Sequence, residues 1–144
     1  MKDNSENYYV VLNIMDRIAE HALEKFGTYA KFSRALGYTD PYFYQITNLE
    51  HFFKINNLIK AAKALDLSVE YLLTGKRKEP FNDEKLSVKN VLKLKVPKYA
   101  INNSLCSIQC HIKSGRTKSM NIKTLLEFES ASGVKAMDIL RGRV

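Results

Sequence analysis

Apolar residues recur at helical spacing along most of this chain. Residues 8–26 place apolar side chains three or four positions apart among charged ones, and Gly27 follows the last of them. This pattern predicts an amphipathic helix that ends at the glycine. Residues 28–36 show the same spacing, which predicts a second, shorter helix with Thr28 as its cap and Gly37 at its end.

A third predicted helix follows directly. It begins near Pro41, where the missing N–H of proline costs nothing, and Thr39 or Asp40 can cap it. Phe43 and Ile46 point inward in this helix. Its outward residues are Tyr42, Tyr44 and Gln45.

The last part of the pattern is a repeat. Residues 56–75 predict two more helices, the second capped by Ser68, and residues 76–85 are charged and without apolar periodicity, which is typical of a linker. Residues 122–142 then match residues 55–75 at a constant offset of 67. A duplicated helical module explains these matches better than chance. The matching pairs are Ile55/Ile122, Leu58/Leu125, Ile59/Leu126, Leu67/Val134, Leu72/Ile139, Leu73/Leu140 and Gly75/Gly142.

Composition supports a helical protein. The chain of 144 residues is 45% apolar and 26% charged, and it holds only three prolines and six glycines, too few for the many turns of an all-β fold. We therefore expect an all-α fold. No apolar run approaches the roughly 18 residues that span a bilayer, so we expect a cytoplasmic protein with reduced cysteines and no membrane partner.

The positive charge is confined to one half. Of the 23 Lys and Arg and 15 Asp and Glu, residues 1–75 hold eight and nine, which leaves 15 and six, a net +9, for residues 76–144. Such an excess suits a polyanion such as DNA or RNA, because Lys and Arg that neutralise phosphates release counterions. A solvated basic surface is the alternative.

Two stretches of the first half carry a family resemblance. FSRALGYTDPYFYQI is similar to two crossed helices joined by a glycine turn, and LIKAAKALDLSVEYLLTG is similar to a closing helix pair. Together they resemble the lambda repressor and Cro family of helix-turn-helix proteins. In the second half, SLCSIQCHIKSGRTKSMNIKTLLEFESASGVKAMDILRG resembles the same family in degenerate form, with one extra residue before Leu125; the two helices expected before it are LSVKNVLKLK and VPKYAINN.

The resemblance implies an all-α protein of two tandem lambda-repressor-like helix-turn-helix bundles. The first module spans residues 8–75, a linker spans 76–85, and the second, degenerate module spans 86–144. The function implied is that of a sequence-specific DNA-binding regulator of transcription, a repressor, which acts on double-stranded DNA. The family usually binds as a dimer, and here the dimer is either two chains or an intramolecular pseudo-dimer of the two modules.

The resemblance also implies which side chains face the major groove of DNA. In the first module they include Asp40, whose carboxylate can accept from cytosine N4 but repels phosphates. In the second module the loop 114–119 offers hydroxyls, backbone N–H groups and two cations to phosphate oxygens. Either Ile108 or Gln109 takes the inward position on the preceding helix. The candidate DNA-binding residues are Thr39, Asp40, Tyr42, Tyr44, Gln45, Asn48, Ser104, Ser107, Gln109, His111, Lys113, Arg116 and Lys118.

The loop after the third helix suggests a different kind of contact. It is LEHFF, residues 49–53, which offers a carboxylate and two phenyl rings in place of the donors that grip a phosphate backbone. Phe52 and Phe53 either pack into their own bundle or contact protein, at a dimer interface or against the second module. The alternative function is therefore a protein-interaction regulator or antitoxin-like module, whose first helix-turn-helix no longer binds DNA and docks a partner through Tyr42, Tyr44, Phe52 and Phe53. A more remote alternative is a single-stranded RNA binder that stacks bases on its tyrosines.

The cysteines lie together in CSIQCHIKSG, residues 106–115. A structural zinc needs four ligands, and His21 and His51 both belong to the other module, so we expect no metal. Cys106 and Cys110 are one helical turn apart, slightly too far for a disulfide. The chain has no glycine-rich phosphate loop, paired acidic motif or histidine constellation, so we expect neither enzymatic activity nor a cofactor.

Overall fold

In its described ranges the chain folds into eight α-helices and one 3₁₀ helix, which confirms the all-α class. The computed structural model describes residues 4–48, 53–76, 85–95, 103–115 and 120–143. The helices are α1 (Asn4–Phe26), α2 (Tyr29–Ala35), α3 (Tyr42–Asn48), α4 (Ile55–Leu65), α5 (Val69–Thr74), the 3₁₀ helix η1 (Val88–Lys93), α6 (Asn103–Ser114), α7 (Ile122–Ser132) and α8 (Ala136–Arg141).

The predicted helix ends of the first half are largely where the structure has them. Gly27 follows α1 at a φ of 83°, a left-handed conformation that favours glycine. Thr28 and Ser68 cap α2 and α5, since their hydroxyls accept from the backbone N–H groups of Lys31 and Tyr71. The linker prediction lies mostly outside the described residues, which resume at Lys85.

The buried side chains of both halves belong to one hydrophobic core. In the first half, α1 packs on α2, α4 and α5, and it also packs on α7 of the second half. Phe43 meets Phe32 and Phe53 edge to face, with ring centroids 5.0 and 6.2 Å apart. Such aromatic contacts add stability beyond the area they bury. Phe53 is fully buried, so it packs into its own bundle, as one of the two expectations held.

The last two helices of each half correspond at an offset of 67 residues. Helices α4 and α7 have the same bounds at that offset, and so do α5 and α8. The residues that end them correspond as well: Asp66 and Gly133 both adopt the left-handed conformation, as do Gly75 and Gly142. The repeat in the sequence is thus matched by a repeat in backbone structure.

The two halves join through a short antiparallel β-bridge between Lys54 and Asn121. On its two sides, the N–H of Ile55 donates to the carbonyl of Met120 at 2.8 Å, and the N–H of Ile122 donates to the carbonyl of Phe53 at 2.9 Å. The bridge comes immediately before α4 and α7. Phe53 therefore meets the second half through its backbone carbonyl, and a contact of its ring with that half stays a prediction.

The second half differs from the first in its opening helix. A helix was expected in LSVKNVLKLK, and the structure has the six-residue 3₁₀ helix η1 there, packed on α6 and α8. The amide of Asn90 in η1 donates to the carbonyl of Leu140 at 2.9 Å, much as Arg17 of α1 donates to Leu72 at 2.7 Å. Helix η1 therefore holds the closing helix of its half in the manner of α1. The second expected helix, VPKYAINN, lies mainly outside the described residues.

Candidate nucleic-acid interface

Helix α3 is fixed to α2 by one buried serine. The hydroxyl of Ser33 in α2 donates to the carbonyl of Tyr29 at 2.9 Å and accepts from the N–H of Phe43 at 3.0 Å. The first N–H groups of a helix have no partner within it. Ser33 thus supplies, across the turn, the acceptor that Thr39 or Asp40 was expected to supply, and it holds the start of α3 against α2.

The outer face of α3 is open to solvent. Tyr44 is 55% exposed, and Gln45 and Thr47 are exposed beside it. The hydroxyl of Thr47 donates to the carbonyl of Tyr44 at 2.9 Å, within the helix. These three side chains form a polar and aromatic surface free of acidic groups.

Thr39 and Asp40 are exposed in the turn before α3. A carboxylate oxygen of Asp40 lies 3.0 Å from Nε of Arg34, and both side chains are about 60% exposed. An exposed pair of this kind adds little stability. Its effect is local, because the guanidinium offsets the negative charge that would repel a phosphate.

Tyr42, expected to point outward, is half-buried. Its ring stacks on that of Tyr38 with centroids 3.8 Å apart, and its hydroxyl accepts from the amide of buried Asn57. The same Asn57 accepts from the hydroxyl of Tyr38 at 2.9 Å. Burial, and secondarily the neighbouring Tyr38, raise the pKa of Tyr42 to about 12. Tyr42 therefore anchors α3 to α4, which a prediction from helical spacing alone did not reveal.

Helix α6 turns one apolar side to the core. Leu105 and Ile112 are buried, and Ile108 and Gln109 are both half-buried between them. The Gln109 amide donates to the carbonyl of Val91 in η1 at 3.1 Å. Ile108 and Gln109 therefore both face partly inward. The Gln109 amide is already hydrogen-bonded within the protein. The exposed residues of α6 are Cys106, Ser107, Cys110, His111, Lys113 and Ser114.

Several candidate positions lie beyond what the structure describes. Asn48 and Ser104 belong to α3 and α6, but their side chains are outside the description. Arg116, Lys118 and Phe52 are outside the described residues altogether.

Among the described residues of the second half, the exposed charge has one sign. In the described part of residues 76–143, the acidic residues Glu127, Glu129 and Asp138 are all half-buried. Every exposed charged side chain in this described part is basic. Those side chains are Lys76, Lys85, Lys89, Lys93, Lys95, Lys113, Lys135 and Arg143.

Cys106 and Cys110 are exposed free thiols on α6. Within the described ranges, no three His, Cys, Asp or Glu side chains are placed to hold a metal ion. Nor does any helix in those ranges have the length and apolar character needed to cross a bilayer.

No protein-family model, curated protein or solved structure matches this chain. The function of the chain is therefore inferred from its own residues and their geometry.

Two residues that shape this surface, Ser33 and Asn57, were not predicted from the sequence. Both are polar but fully or almost fully buried. The available signal was their position, since each lies next to an inward apolar residue, Phe32 and Leu58, on a predicted helix. A small polar residue in such a place is often the partner of an otherwise unpaired backbone or side-chain group.

Proposed function

We propose that this chain is a sequence-specific, double-stranded DNA-binding regulator of transcription, acting in the cytoplasm through two helix-turn-helix modules. One observation carries the proposal. Helix α3 precedes the bridge residue Lys54 in the first half, and α6 precedes the bridge residue Asn121 in the second. Both helices bury an apolar face and expose polar side chains.

The first module supplies contacts to bases. The exposed amide of Gln45 suits adenine, to which Gln can bond at N6 and N7, and Asp40 can accept from cytosine N4. Tyr44 offers an exposed ring and hydroxyl beside them. Ser33 and Tyr42 act indirectly, because their buried hydrogen bonds fix the position of α3.

The second module supplies most of the attraction to phosphates. Lys113 is exposed at the end of α6, and Lys89 and Lys93 are exposed on η1, which packs against α6. Ser107 and His111 on the outer face of α6 can bond to bases or phosphates. Gln109 is assigned to positioning, because its amide joins α6 to η1.

Selection from a random duplex library with the full-length chain is the direct test. We expect enrichment of one defined site. Recovery of no common sequence, together with equal affinity for every duplex, would overturn sequence-specific binding.

The salt dependence of binding tests the roles of the cations. We expect Lys113→Gln to lower the slope of log affinity against log salt by about one, because each phosphate neutralised contributes roughly that amount. The double variant Arg116→Ala with Lys118→Ala should lower it by about one to two. Lys63→Gln is the matched control, since exposed Lys63 lies eight residues into α4, about 12 Å from the bridge end of that helix. An equal change in slope for Lys63→Gln would contradict the assignment.

A further inference from the structure

The bridge between the halves is symmetric with respect to the repeat, because its central pair joins Lys54 to its own counterpart Asn121. Lys54 faces Asn121, Phe53 bonds to Ile122, and Ile55 bonds to Met120. An antiparallel bridge has a local two-fold axis, and rotation about this axis places each strand on the other. Here that rotation places each residue of the bridge on the residue 67 positions away. The same offset relates α4 to α7 and α5 to α8.

A two-fold interface has this property, because a residue on the axis meets its own equivalent in the other subunit. Two modules that merely followed one another along the chain would place unrelated residues in contact. We infer that the two halves form an intramolecular pseudo-dimer, and that a single chain binds one DNA site made of two unlike half-sites in inverted orientation. This inference rests on the proposed function.

The reach of the chain fits a single site. Helix α3 ends six residues before Lys54, and α6 ends seven residues before Asn121. Because an extended chain spans at most about 3.5 Å per residue, the end of α3 lies within roughly 21 Å of the pseudo-two-fold axis and the end of α6 within roughly 25 Å. Two helices held this close to one axis can meet major grooves one turn apart, about 34 Å.

The half-sites differ because the two exposed surfaces differ. Helix α3 presents Tyr44, Gln45 and Thr47, whereas α6 presents Ser107, His111 and Lys113. A pseudo-dimer with such faces reads an inverted but imperfect repeat. A homodimer of identical chains would read a symmetric one.

The stoichiometry and the orientation of the half-sites test the inference, with the selected duplex as the probe. Sedimentation of the full-length chain with that duplex should give one chain per duplex at saturation. Reversing one half-site, which turns the inverted repeat into a direct repeat, should lower affinity about tenfold or more, as mismatched bases do. Inserting about five base pairs between the half-sites should do the same, because it turns them to opposite faces of the duplex.

Two variants test which half of the chain recognises which half-site. Gln45→Ala should relax the base preference of one half-site only, and His111→Ala that of the other, while Lys63→Gln changes neither. A specific complex with two chains per duplex, or tighter binding to the direct repeat, would refute the pseudo-dimer and leave DNA binding standing. Absence of any specific duplex binding would remove both proposals together.

Discussion

Ser33→Ala tests the idea that a single hydroxyl holds α3 in place. The substitution removes two hydrogen bonds at a fully buried position and leaves the N–H of Phe43 without its acceptor. A buried N–H left unpaired costs about 1–3 kcal/mol. Alanine recovers about 0.5 kcal/mol through its better helix propensity in α2. The free energy of unfolding should therefore fall by about 0.5–2.5 kcal/mol.

Chemical denaturation followed by far-ultraviolet circular dichroism measures this change. For a chain of this size, 1 kcal/mol corresponds to a Tm shift of about 2–4 °C, so Ser33→Ala should lower Tm by about 1–10 °C. Ser114→Ala is the matched control, because exposed Ser114 donates only to the carbonyl of His111 in its own helix; its effect should stay within about 0.5 kcal/mol. A Ser33→Ala protein as stable as the parent would refute the role of the hydroxyl.

Three further substitutions follow from the comparison of the halves and from the buried tyrosine. The side chain of Lys135 does not cap α8, whereas Ser68 caps α5 at the equivalent position. Lys135→Ser should therefore raise the free energy of unfolding, measured by urea denaturation, by about 0.5–1 kcal/mol. A loss of stability would contradict the equivalence of the two positions. Asp66 adopts the left-handed conformation at φ 56°, where the other half has Gly133. Asp66→Gly should raise the free energy of unfolding by about 0.5–1 kcal/mol in the same measurement. An unchanged free energy of unfolding would show that the aspartate is unstrained. Burial and Tyr38 raise the pKa of Tyr42 from 10.0 to about 12, so the unfolded chain loses this proton first and the folded state loses stability as pH rises from about 10 to about 12. Tyr42→Phe should make that loss shallower when unfolding is compared at the two ends of the range, and identical pH profiles would exclude Tyr42 as a contributor.

Much of the helical structure follows from the apolar pattern, but its exact form does not. Val88, Val91 and Leu94 are buried at strict intervals of three. That spacing fits one face of an α-helix, and it also fits a 3₁₀ helix, in which residues three apart lie directly above one another. The pattern therefore predicted a helix here without distinguishing the two kinds.

The positions of polar side chains were harder to predict, because their partners are distant in sequence. Tyr42 turns inward to meet Asn57, and Gln109 turns inward to meet the carbonyl of Val91. Helical spacing assigns Tyr42 to an outer surface, and it leaves open whether Ile108 or Gln109 points inward. The residues of the bridge were easier to predict than these side-chain contacts, since the offset of 67 that aligns the repeats also pairs Lys54 with Asn121.

The two halves contribute unequally to folding and to charge. Helix α1, 23 residues long, packs on its own half and also on α7, whereas the described residues before α6 in the second half form only the six-residue η1. The core of the second half is therefore completed by the first, although the second half carries the basic surface. A fragment of residues 76–144 should accordingly lack cooperative thermal unfolding by circular dichroism, and the addition of a 1–75 fragment should restore it. Cooperative unfolding of 76–144 by itself would show that the basic half is an independent domain, and the contact of α1 with α7 would then be dispensable for its fold.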